Sequence, residues 1–322
     1  MRYIITLLAT ATPALAEVPK VVTDIPPVHA LVAQVMGDLG TPDLLLAKGA
    51  DEHDFQLKPS QAGAVADADL VIWIGPELTP WLDGAMDSRP EGAAALALLD
   101  AEGTMRRAYG EAKAEGHDHR HEDHAEEGHA EEGHSEAGDS EAGHDGHDHG
   151  SEDPHAWLDP GNAQAWLGLI AAELGKVDPE NADAYAANAA KAGQEIAALD
   201  AELAALLAPV KDRPFVTFHD AYGYFVDHFG LTFAGSIALG DASSPGAARL
   251  AELRGELEAG GVVCLFPEVQ HDPALVEQMA EGTAVKIGGA LDPVGSSLDA
   301  GPGAYAALLR GMAVAIAECA GT

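Results

Sequence analysis

The sequence predicts an α/β protein of two lobes joined by one long helix, and three observations carry that expectation. Short continuous apolar runs such as Asp69-Leu-Val-Ile-Trp-Ile74 and Gly261-Val-Val-Cys-Leu-Phe266 read as strands buried on both faces of a parallel sheet. Such runs alternate with helical stretches in both halves of the chain. Between the halves, Tyr185, Ala189, Ala192, Ile196, Leu199, Leu203 and Leu206 recur at helical spacing and make one apolar stripe.

Taken in order, Lys20 to Asp24 reads as a strand and Pro27 to Met36 as a helix stopped by Gly37. Pro59 to Ala66 is helical, the run 69–74 a central strand, Thr79 to Met86 a short helix and Ala94 to Leu99 a strand. The stripe predicts a helix from Pro179 to Leu207, on the order of 45 Å long. Asp178 is its expected cap, Pro179 its first residue and Pro209 its end. Strands follow at Phe215 to Phe218, Leu231 to Leu239, Gly261 to Phe266 and Ala284 to Ile287. Helices at Tyr222 to Phe229, Pro245 to Ala259, Pro273 to Glu281 and Pro302 to Glu318 alternate with them. The domain reading is therefore a first lobe over 17–175, a linking helix over 176–209 and a second lobe over 210–322.

Lys and Arg number 17 against 53 Asp and Glu, a formal net charge of −36. That balance repels nucleic acid and attracts cations. Residues 1–16 read as a secretory signal, with Arg2 before the apolar Ile4 to Leu8 and a small-residue Ala14-Leu15-Ala16 cleavage site. The mature chain is expected to begin near Glu17, without a lipid-bearing Cys, and no other stretch is long and apolar enough to span a bilayer. Cys264 and Cys319 are the only cysteines. In an oxidising compartment they most simply form one disulfide, the alternative being two buried thiols.

A chelating tract interrupts the first lobe over 110–153. It carries nine histidines, His117, His119, His121, His124, His129, His134, His144, His147 and His149, among Asp, Glu and Gly. Imidazole and carboxylate bind first-row divalent metals. With almost no apolar residue the tract cannot bury a core of its own, so a mobile loop is expected. Six histidines remain: His29, His53, His155, His219, His228 and His271. His53, His155 and His219 stand out, each beside acids or Pro in a turn or after a strand, where open α/β sheets bind ligands. Their separations carry no ligand spacing of their own. His29 and His228 lie on expected helices and His271 in a turn, as surface or satisfied side chains. Trp73, Trp81, Trp157 and Trp166 read as core or cleft wall, and Glu268 as a cleft border or a structural acid.

Five segments together resemble the periplasmic solute-binding subunits of zinc-uptake ABC transporters, the ZnuA type. They are Val22-Thr-Asp-Ile-Pro-Pro-Val-His-Ala-Leu31, Asp51-Glu-His-Asp-Phe-Gln-Leu-Lys-Pro-Ser60, Asp153-Pro-His-Ala-Trp-Leu-Asp-Pro160, Phe218-His-Asp-Ala-Tyr-Gly-Tyr-Phe225 and Leu291-Asp-Pro-Val-Gly295. The resemblance covers essentially the whole mature chain. It implies two (β/α)4-type lobes bridged by one rigid helix, with the metal in the cleft between them. Carried over motif by motif, it implies His53, His155 and His219 as ligands and Asp292 as a fourth, with Glu52 or water as the alternative. It also implies the Cys264–Cys319 disulfide, Zn(II) as cargo, an inner-membrane ABC permease as partner, a monomer, and no catalysis. The acidic His-rich tract is typical of the zinc members and implies an auxiliary, weaker zinc site. Neutral imidazoles with one carboxylate suit Zn(II), and His219 stands where manganese-importing relatives carry an acid. A manganese or iron carrier of the same fold is one alternative. A zinc hydrolase is the other, although the chain has no HExxH pair. Asp220 and Asp159 lie near the histidines in sequence as possible ring partners.

Overall fold

The computed structural model describes residues 18–109, 152–238 and 245–321. The signal segment 1–16 and the nine histidines from His117 to His149 lie outside the described residues. The first lobe holds a four-stranded parallel sheet, ordered β2-β1-β3-β4, of β1 (Val21–Thr23), β2 (Asp43–Leu44), β3 (Leu70–Trp73) and β4 (Ala94–Ala97). Its helices are α1 (Pro26–Met36), α2 (Pro59–Ala66), α3 (Asp83–Asp87) and α4 (Pro160–Val177). β1 and β3 are buried along their whole length, as their unbroken apolar runs require. Pro26 opens α1, and Gly37 at φ 56° ends it.

The linking helix is α5 (Ala182–Leu207), entered through a tight 3-10 turn at Pro179–Asn181. Asp178 does not cap it through backbone N–H groups. Its Oδ2 accepts instead from the Tyr185 hydroxyl at 2.8 Å and from Asn181 Nδ2 at 2.7 Å. The buried stripe runs Tyr185, Ala189, Ala192, Ile196, Leu199, Leu203 and Leu207. Leu206, expected as the last of that stripe, is exposed. Two features were not expected from the sequence. β2 has only two residues, and α4 starts at Pro160 with Asp159 as cap, accepting from Gly161 N at 2.6 Å.

The second lobe repeats the topology with β5 (Phe215–Thr217), β6 (Phe233–Ser236), β7 (Cys264–Leu265) and β8 (Lys286–Ile287) in the order β6-β5-β7-β8. The strand expected over 231–239 shortens to β6. Its helices are α6 (Gly223–Phe229), α7 (Ala247–Glu258), α8 (Ala274–Ala280) and α9 (Ala304–Ala320). α5 packs on α1, α4 and α9, so one apolar core runs through both lobes. Hydrogen bonds lace the seam: Trp157 Nε1 to Pro293 O at 2.8 Å, Tyr305 OH to Trp157 O at 2.9 Å and Gly49 N to Ser296 O at 2.9 Å. Among the described residues no helix is long and apolar enough to cross a membrane.

The expected disulfide is present: Cys264 on β7 is bonded to Cys319 on α9, 55 residues apart. On the chain-entropy model a loop of that length stabilises the fold by about 4 kcal/mol. Replacing both cysteines by Ala should therefore lower the unfolding free energy by about 4 kcal/mol and move the midpoint of chemical unfolding to lower denaturant. Equal midpoints for variant and wild type would show that the bond adds nothing.

Candidate metal centre

His53 sits in the loop between β2 and α2, His155 in the turn that leads into α4, and His219 two residues beyond β5. In each lobe the first strand pairs with the second on one side and the third on the other, so the strand order reverses between β1 and β3 and between β5 and β7. The crevice past their carboxyl ends is where such sheets bind ligands. The three rings meet there. Their centroids are 5.3, 5.8 and 5.4 Å apart, and one ligand atom from each lies within 4.8 Å of the others. His155 is wholly buried and His219 nearly so.

Two of the rings are aimed by buried carboxylates. His155 Nδ1 lies 2.8 Å from Asp153 Oδ1, which also accepts from His155 N at 3.0 Å. His219 Nδ1 lies 2.6 Å from Glu268 Oε2, and Glu268 Oε1 accepts from the Tyr222 hydroxyl at 2.9 Å. Burial raises the Glu268 carboxyl, but His219 and the hydrogen bonds around it prevail and hold it below its ordinary range. A ring whose Nδ1–H is engaged by a carboxylate presents Nε2 to a metal and is the more basic for it. Of the two acids near the histidines in sequence, Asp159 serves elsewhere and Asp220 feels the charge of both His155 and His219. Asp159 caps α4 and pairs with His228, and burial together with Asp153 pushes the Asp220 carboxyl up.

The fourth position separates the two carboxylates the sequence offered. Neither carboxylate is among the atoms that lie within 4.8 Å of one another in the histidine group. In Asp292, Oδ1 accepts from Ser296 N at 2.9 Å, and Oδ2 accepts from Ser297 N at 2.8 Å and Ser297 Oγ at 2.6 Å. Those bonds fix a turn. Glu52 is 1% exposed, and its Oε1 lies 3.8 Å from His53 Nε2 without accepting a hydrogen bond among the described residues. Its other oxygen accepts from Gln270 Nε2 at 3.2 Å. Burial pushes the Glu52 carboxyl up to about 7, although His219 and His155 pull it down. A carboxylate so desolvated gains most from a nearby cation. His219, Glu268 and His271 also approach one another, but the Glu268 oxygens are already engaged and His271 stacks on Phe218 at 4.2 Å.

Among the described residues, His29 and His228 stand outside the cluster. His29 is buried, with Nε2 3.1 Å from Pro42 O. His228 bridges Asp159 and Asp200 at 2.8 Å each. The Asp159 carboxylate, with Asp200 behind it, pushes the His228 imidazole up from 6.5 to about 9. A base raised on folding stabilises fully below its unfolded value and loses that contribution as pH rises through the folded one. The melting temperature of wild type should exceed that of His228→Gln below about pH 6.5, and the gap should close by about pH 9. A gap that stays constant with pH would place the role of His228 in packing.

Residues 21–319 match the family model described as ZnuA, zinc-uptake complex component A periplasmic. The chain is 57% identical over 311 residues to a high-affinity zinc uptake system protein ZnuA of Paracoccus denitrificans (strain Pd 1222), covering 97% of this chain and 94% of that one. It is 42% identical over 304 residues to the protein of the same name in Brucella abortus (strain 2308), covering 93% and 91%. A crystal structure of ZnuA superposes with a TM-score of 0.71 at 23% identity, over 94% of this chain and 99% of the other, a likeness of fold. With three histidines converging between two lobes of that fold, the chain belongs to the ZnuA family of periplasmic zinc-uptake components.

Proposed function

We propose that the chain, exported and cleaved near Glu17, captures Zn(II) in the interlobe cleft through His53, His155, His219 and Glu52 and passes it as a monomer to an inner-membrane ABC permease. Zinc uptake is the role of its family. The observation that carries the ligand set is the approach of three histidine nitrogens to within 4.8 Å of one another beside the buried Glu52 carboxylate. Three neutral imidazoles and one carboxylate make a four-coordinate N/O set that suits Zn(II) and leaves the loaded site near +1. Manganese and iron carriers would favour more oxygen donors. Hydrolysis would need an open fourth position for water and a separate base. Glu52 takes the fourth position in this reading, so nothing is catalysed. The His-rich tract gathers zinc as an auxiliary, weaker site.

The test is growth under zinc starvation of a bacterium lacking its own zinc-binding import subunit but carrying a permease matched to this chain. The wild-type chain should restore growth. A His53→Ala/His155→Ala/His219→Ala chain, exported to the same level, should not. Equal rescue by both would overturn the reading.

A further inference from the structure

We infer that Arg107 is a positioning residue for the metal centre: it clamps Asp153 across the seam between the lobes and so sets how firmly His155 holds zinc. This rests on the zinc-capture reading above and adds a residue that touches no metal. The side chain of Arg107 is 4% exposed, and Nη1 donates to Asp153 Oδ2 at 2.8 Å. The other oxygen of that carboxylate holds the ring of His155 at 2.8 Å. One buried carboxylate is thus fixed between a guanidinium and a ligand imidazole.

The second lobe holds the other side of the clamp. Arg107 Nε donates to Asp227 Oδ2 on α6 at 3.2 Å, and its Cζ lies 5.6 Å over the ring of Tyr224. The Tyr224 hydroxyl accepts from Arg107 N at 3.1 Å and donates to Asp153 O at 2.9 Å. The slot exists because residue 223 is glycine. A Cβ there would fall 1.3 Å from Arg107 Nη1 and 2.2 Å from Cζ. The guanidinium lies directly on the backbone at the start of α6, and any side chain would evict it. Arg107 and Asp153 also pair through Asp153 N to Arg107 O at 3.0 Å, so the two strands of chain that flank residues 110–151 close onto the metal centre.

Without the guanidinium, Asp153 is a buried carboxylate with no cation, which strongly disfavours its present place. It would turn away from its present place, and His155 would lose its fixed tautomer and aim. Loss of such an outer partner typically weakens a metal site 10–100-fold. Lysine offers a point charge rather than a planar fork, so it cannot serve Asp153 and Asp227 together and should recover only part of the loss.

The experiment is zinc titration against a competing chelator, on metal-free mature protein, for wild type and Arg107→Met, Arg107→Lys, Gly223→Ala, Arg106→Met and His155→Ala. Arg106 pairs with Glu152 and Asp100 on the surface and does not reach Asp153, so Arg106→Met should bind as wild type does. Arg107→Met and Gly223→Ala should raise the Kd about 10–100-fold and change the visible spectrum of the Co(II)-loaded protein in the same way. Gly223→Ala changes no charge and displaces only the guanidinium. The inference is overturned if Arg107→Met or Gly223→Ala binds zinc within threefold of wild type with an unchanged Co(II) spectrum, even where thermal stability falls. If either variant does not fold, Arg107→Lys decides: weaker zinc binding with an altered Co(II) spectrum supports the clamp, and wild-type behaviour overturns it. Failure of wild type itself to bind tightly would instead sink the zinc-capture reading.

Discussion

His155→Ala should lose tight zinc binding, with a Kd on the order of 100-fold or more above wild type. A structural zinc site is worth roughly 10–16 kcal/mol, so one ligand of four carries about 3 kcal/mol. His155 should show the largest loss of the three. It is wholly buried, its Nδ1 is fixed by Asp153 at 2.8 Å, and its ring packs 5.1 Å from Trp157. The same change leaves a cavity beside Trp157, so circular dichroism of the metal-free variant should accompany the titration. A folded His155→Ala chain that still bound zinc as tightly as wild type would remove His155 from the site.

Glu52→Gln should move zinc affinity and metal-free stability in opposite directions. The Glu52 carboxyl is raised on folding from 4.5 to about 7 by burial. An acid raised on folding binds more protons folded than unfolded, so the metal-free protein loses stability as pH rises from about 4.5 through about 7. The loss is on the order of 3 kcal/mol for a shift of this size. Gln does not titrate. The metal-free variant should therefore exceed wild type in stability above about pH 7, and that advantage should fade as pH falls toward about 4.5. Asp24, buried and also raised to about 7, is present in both chains and cancels. Zinc binding needs the ionised carboxylate, so Glu52→Gln should raise the Kd, and wild type should release a proton on binding below about pH 7. Paired unfolding curves and zinc titrations at several pH values check both halves. A variant that bound zinc as before would show that Glu52 is no ligand, and one that gained no stability would show that burial of its charge costs the fold nothing. Asp292→Asn should meanwhile affect zinc little, because its oxygens serve the turn at Ser296 and Ser297.

The α/β alternation and the stripe on α5 were legible because each buries a continuous apolar surface, which leaves a periodic mark. β2 was not, since Asp43 and Leu44 make too short a run to show a period. α4 was legible in principle: Asp159 and Pro160 form a cap and first turn, and Ala163, Trp166, Leu167, Ile170, Ala171 and Leu174 follow at helical spacing. The exchange of Leu206 for Leu207 follows from the helix period: a 4,3 repeat averages 3.5 residues per turn and drifts off one face of a 3.6-residue helix, so Leu207, still inside α5, takes the last buried place. The three histidines could be picked out by their neighbours, but their convergence came only from the resemblance, because it is tertiary. The surroundings of Asp292 and Glu52 are tertiary as well, although Ser296 and Ser297 after Asp292 form a readable turn signal. Glu268 stands 49 residues from His219, and Arg107 stands 46 from Asp153, so no local pattern announces either pair. Asp153, two residues before His155 in Asp-Pro-His, carried the one local signal for a ring partner.

The most direct test of the cleft as the capture site is a chelator-competition titration of metal-free mature protein lacking residues 115–150, with Zn(II) and Mn(II) in parallel. One tight zinc site is expected, far weaker for manganese and lost in His53→Ala, His155→Ala and His219→Ala. Absence of a tight site, or a preference for manganese, would contradict the account and leave the His-rich tract or another ion at its centre.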